Sequence, residues 1–118
     1  MKLEPILHDG EYVFVNGKPG GEIPSAAVAM FRESEGMTLV MRAADAEREG
    51  YESLFSAAWI EISANTELSG LGITAAFSRV LADAGISCNV FAANNHDHIF
   101  VPFDAAERAL DLLDDVEV

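Results

Sequence analysis

Ala58-Trp59-Ile60-Glu61-Ile62-Ser63-Ala64 alternates strictly, with Ala58, Ile60, Ile62 and Ala64 on one side and Trp59, Glu61 and Ser63 on the other. A period of two is that of a β-strand with one covered face. After a loop at Asn65 to Gly70 the period changes. Ile73, Phe77, Val80, Leu81 and Ala84 fall on one stripe of an α-helix, and Gly85 follows where a helix stop belongs. Ile86, Cys88, Val90 and Ala92 then share a face of a second strand. Asn94-Asn95-His96-Asp97 supplies a turn, and His98 to Val101 forms the returning strand, ended by Pro102. Asp104, with Glu107 three residues on, reads as the cap of a last helix whose apolar stripe is Ala106, Ala109, Leu110 and Leu113.

From Ala58 onward the order is therefore strand, helix, strand, strand, helix. A right-handed crossover that places both helices on one sheet face buries both stripes, which predicts an α+β fold with an antiparallel sheet. The pattern is most of a ferredoxin-like βαββαβ unit. Its closing strand is missing, because Asp114 to Val118 is short and acidic. A strand from the first half of the chain is expected to occupy that edge, so that the two halves share one sheet.

The first half carries weaker signals. Leu3 to His8 and Glu11 to Val15 are short β-prone runs joined by Asp9-Gly10, which reads as a β-hairpin turn. Asn16 to Gly21 is punctuated by glycine and proline and reads as a plain turn, since its spacing matches no phosphate-binding fingerprint. Ala26 to Arg32 and Met37 to Arg42 form a second strand pair around Glu33 to Gly36. Ala43 to Glu49 favours a helix stopped by Gly50, and Tyr51 to Phe55 is ambiguous.

The 118 residues include 20 acidic and 7 basic side chains, for a net charge of −13, and half are hydrophobic. That apolar content predicts a folded domain, or two small ones sharing a core. So acidic a surface disfavours nucleic acid and anionic membrane as partners, because both are bound through clustered Lys and Arg. Met1 to Gly10 lacks the apolar run of a signal peptide, and a cytoplasmic protein is expected. The one cysteine, Cys88, lies in an apolar run with no base beside it and reads as a buried thiol. Neither Ser69 nor Cys88 sits in a nucleophile motif, which argues against an enzyme. His96 and His98 could share a strand face as metal ligands with Asp97 or His8 nearby, although alternation sends Asp97 to the other face.

Gly70-Leu71-Gly72-Ile73-Thr74-Ala75-Ala76, Leu81 to Val90 and His96-Asp97-His98-Ile99-Phe100-Val101-Pro102 together resemble the small bacterial ACT-domain proteins with two ACT-like halves in tandem. Tyr12-Val13-Phe14, Phe31 to Val40 and Ala44-Asp45-Ala46 resemble the amino-terminal part of that family. The resemblance implies an N-terminal ACT-like half at 1–55 and a C-terminal ACT domain at 56–118. It further implies a non-catalytic sensor that uses no cofactor and binds a small molecule, an amino acid first, facing a neighbouring ACT unit. Carried over, the ligand residues are Ser69, Gly70, Leu71, Gly72 and Ile73, with Asn94, His96 and Asp97 from the later turn. The glycines suit close backbone approach, helix-start N–H groups suit a carboxylate, and Asp97 suits an ammonium. Strand edges left by two half-sheets make homodimerisation the expected association, with or without a ligand.

Overall fold

The computed structural model describes residues 1–65 and 67–118, so Thr66 in the expected Asn65 to Gly70 loop lies outside the described residues. The chain divides into two compact units, Met1–Asp9 with Ala58–Val118, and Gly10–Ala57. Strand β5 (Phe55–Ile62) contributes its first three residues to the second of these and the remainder to the first.

In the unit that contains both termini, β5 is followed by helix α2 (Ile73–Asp83), strands β6 (Asn89–Ala92) and β7 (Asp97–Pro102), and helix α3 (Ala106–Asp114). The strand order β5-β7-β6 is that of the expected ferredoxin-like pattern. The alternation read around Ala58 is present: Ala58, Ile60 and Ile62 are buried while Trp59 and Glu61 are half-buried. They pack with Phe77 and Leu81 of α2, Ile99 and Val101 of β7, and Ala109 and Leu113 of α3. Each fully buried Ile, Leu or Phe here contributes about 1.5–3 kcal/mol by leaving water. Gly85, at φ +76, follows α2 as the stop that the sequence places there.

The open edge of β5 is filled by β1 (Pro5–Leu7), antiparallel, with Pro5 opposite Ile62 and Leu7 opposite Ile60. That first-half strand stands where the closing strand was missing. The Asp9-Gly10 hairpin, by contrast, is not formed. Strand β2 (Tyr12–Asn16) instead pairs antiparallel with the first residues of β5, Tyr12 opposite Ala57 and Phe14 opposite Phe55. Gly10 has the positive φ that a turn dipeptide supplies, +97°, yet it only offsets the chain between two stretches of pairing. The unpaired N–H and C=O groups of β5 outweigh the local turn preference. Asp104 is not the cap of α3 either. Phe103–Ala105 forms a 3₁₀ turn after Pro102, so the helix proper begins at Ala106, behind Ala105 and without a side-chain cap.

The unit Gly10–Ala57 has strand order β3-β4-β2-β5, with β3 (Ala29–Glu33) and β4 (Gly36–Arg42) paired around Ser34-Glu35 as expected. Helix α1 (Ala43–Glu49) ends at Gly50 with φ +79. Val13, Val15, Leu39, Met41 and Ala46 form the core of this unit. The Gly/Pro-rich loop is held by Lys18, which donates to the Glu49 carbonyl at 3.0 Å and lies 4.9 Å from the centre of the Tyr51 ring.

Leu3, fully buried just before β1, belongs to the same core as Leu113. Leu3→Ala is expected to lower unfolding free energy by about 2–5 kcal/mol, the cost of a core cavity, much as Leu113→Ala does. Urea denaturation measures both; a Leu3 variant of unchanged stability would contradict the placement of the N-terminal segment.

Candidate functional site

The loop before α2 is shaped by two glycines with different duties. The Gly70 N–H donates to the Glu67 carbonyl at 2.9 Å, closing a tight turn. Gly72 occupies the N-cap of α2 at φ +87, a region that L side chains enter at a cost. A Cβ at Gly72 would meet nothing within 4 Å, so backbone conformation and not crowding selects glycine there. The helix therefore starts with no side-chain cap and no acidic residue in its first turn. Its first i to i−4 bond runs from Ala76 N–H to the Gly72 carbonyl at 3.0 Å. The N–H groups of Ile73, Thr74 and Ala75, which precede that bond, have no acceptor within the helix.

The residues that carry these N–H groups line a cleft of about 150 Å³, together with Glu67, Leu68, Gly70 to Gly72, Ala92 and Asp97. Asp97 is the one buried charged residue among the described residues, at 7% exposure. Of the residues expected at a ligand site, Gly70, Leu71, Gly72, Ile73 and Asp97 come together here; Ser69, Asn94 and His96 do not line the cleft. Strand alternation explains the separation. β7 begins at Asp97, which points to the helix side with Ile99 and Val101, whereas the His96 Nε2 lies 3.9 Å from Glu61 on the opposite face. His98 shares that opposite face, accepting a hydrogen bond from Trp59 Nε1 at its Nδ1 at 3.1 Å. Among the described residues no three His, Cys, Asp or Glu side chains are placed to hold a metal ion.

Sequence reading missed Glu67, Leu68, Thr74, Ala75 and Ala92. Thr74 and Ala75 were legible as the first turn of the helix whose start was singled out. Ala92 was not, because its approach to that turn depends on the sheet order. A larger cavity of about 420 Å³ lies between Gly17 to Gly21 and the Arg32 to Met37 turn. Its walls are mostly exposed loop residues, and Glu33 already accepts from the Thr38 hydroxyl at 2.6 Å. It offers no buried polar group to orient a ligand.

Two family models, each described as an ACT domain, match residues 1–58 and 55–115. The chain belongs to the ACT-domain family. ACT domains are regulatory modules, and this tandem ACT protein is a regulatory, ligand-binding module of that kind. A Vibrio cholerae protein of unknown function, described as a possible transport protein, is similar at 38% identity over 99% of this chain and 91% of its own, with a TM-score of 0.88. An Agrobacterium tumefaciens protein shares the fold at 18% identity, with TM-score 0.77 over 96% of this chain and 87% of its own. So does the regulatory subunit of aspartate kinase from Thermus thermophilus, at 15% identity and TM-score 0.69, with 97% of each chain covered. No curated protein matches the chain. No helix among the described residues is long and apolar enough to cross a membrane.

Because the space around Gly72 is free and only its φ is restrictive, Gly72→Ala is expected to destabilise the tandem ACT protein by about 1–2 kcal/mol in urea unfolding. An unchanged midpoint would contradict the left-handed N-cap.

Proposed function

We propose that the protein senses a free amino acid in the cleft before α2. The observation that carries this reading is an uncapped helix start opening onto a cleft whose wall holds a buried carboxylate. A ligand carboxylate placed against the Ile73, Thr74 and Ala75 N–H groups satisfies donors that the helix leaves over, and it meets the positive end of the helix dipole. The ligand ammonium then faces Asp97, with Glu67 on the same rim. At about 150 Å³ the cleft is small, which favours an amino acid over a nucleotide. Pockets for drug-sized ligands run from about 300 Å³ upward.

The resemblance of the fold to an aspartate kinase regulatory subunit supports a regulatory role. Two leucines on the rim of the cleft are open to solvent, Leu71 at 94% and Leu68 at 63% exposure. A second copy covering these leucines would close the cleft, so association into a homodimer belongs to the same reading. The setting proposed for this sensor is the cytoplasm, where free amino acids are plentiful.

A thermal-shift screen of amino acids, with nucleosides as controls, tests the reading. An amino acid at about 100 times its dissociation constant is expected to add about 2.7 kcal/mol of stability. Asp97→Asn and Gly72→Val should each abolish that gain, while Gly72→Val leaves the oligomeric state in light scattering unchanged. Stabilisation by nucleosides alone, or by amino acids equally in both variants, would overturn it.

A further inference from the structure

All three histidines of the chain gather on the sheet face that lies away from α2 and α3, around a single carboxylate. His8, following β1, stacks on Trp59 with ring centres 3.6 Å apart and planes within 3°. Its Nε2 lies 3.1 Å from Glu61 Oε1. The His96 Nε2 lies 3.9 Å from Glu61 Oε2, and its Nδ1 is buried without a hydrogen-bond partner. Trp59 Nε1 can only donate, so the His98 Nδ1 that receives it carries no proton. The charged and titratable groups around His98 are Glu61 on β5, His8 after β1, and His96 and Asp97 at the start of β7.

We propose that His8, His96 and His98 around Glu61 form a proton-sensitive clamp that, on acidification, releases the 93–98 segment and with it Asp97 from the cleft wall. The argument is one of charge balance and hydrogen-bond roles. Glu61 is one carboxylate among three imidazole rings, so it cannot balance a positive charge on each of them. A proton on His98 Nδ1 would set a donor against the Trp59 N–H donor. A proton on His96 Nδ1 would bury a donor with no acceptor, which costs about as much as any unmet buried hydrogen bond. Both side chains must therefore move to take up charge. Asp97 lies between them in sequence and lines the cleft, so movement of either displaces it. That this regulates ligand binding rests on the reading of the cleft given above; the clamp itself does not.

Burial holds the His98 imidazole below its usual range, with His8 and His96 acting in the same direction and Glu61 and Asp97 opposing. A group whose folded pKa is depressed contributes stability that is present above its unfolded pKa, so the loss sets in as pH falls through the ordinary imidazole value and is complete below the lowered value of the folded protein. Amide hydrogen exchange of the whole chain at pH 7.5 and 5.5, corrected for intrinsic rates, tests the clamp without any ligand. Opening at residues 93–98 is expected to become about tenfold more frequent at the lower pH, while Ile60 and Ile99 stay protected. In the His96→Gln, His98→Asn double variant the pH difference should vanish. Unchanged protection of 93–98 in the native protein, or an equal pH response in the double variant, would overturn the clamp. If the clamp responds but no amino acid stabilises the protein at pH 7.5, the sensor reading fails and the clamp stands.

Discussion

An unpaired strand edge is the constraint on which the rest of this structure depends. The segment from β5 to α3 builds a complete apolar face but leaves one side of β5 with free backbone donors and acceptors, and Pro5 to Leu7 covers it in antiparallel register. The N-terminal residues are thereby drawn into the fold of the C-terminal ones, with Leu3 buried in their core. An antiparallel bridge between Lys2 and Glu117 extends the contact, and the Met1 ammonium donates to Glu117 at 3.0 Å. Holding β5 in this way also fixes what stands on its two faces: Ile60 and Ile62 under the helices, Trp59 and Glu61 away from them.

Periodicity made the second half of the chain readable. The alternation from Ala58 to Ala64 and the stripe of Ile73, Phe77 and Leu81 each report a face in contact with the core, and burial of that face is what the structure shows. The same was true of Gly50 and Gly85, whose positive φ values end their helices. The failures came where a local signal competed with a distant one. Asp9-Gly10 has the composition of a hairpin turn, yet the vacant edge of β5 lies some fifty residues away in sequence and no local rule reports it. Asp104 resembles a cap, but Pro102 is followed by a 3₁₀ turn that moves the helix start beyond it.

The candidate site was legible in part for the same reason. Gly70, Gly72 and Ile73 announce a helix start, and a helix start left without a side-chain cap is a place for an anion. In sequence the turn before β7 forms one cluster, whereas the strand begins at Asp97 and sends neighbouring side chains to opposite faces. Asp97 joins the cleft while His96 and His98 join Trp59 and Glu61. A single strand start thus places Asp97 at the cleft and its two histidine neighbours on the other face, the arrangement from which both proposals are argued.

The central claim is that the α2 start and Asp97 together receive an amino acid. Titrating an amino-acid mixture, and then its components, into ¹⁵N-labelled protein tests it residue by residue. The account predicts saturable amide shifts at Ile73, Thr74, Ala75 and Asp97. Shifts confined to Gly17 to Gly21 and the Arg32 to Met37 turn, or none at any amino-acid concentration that saturates known sensors, would contradict it.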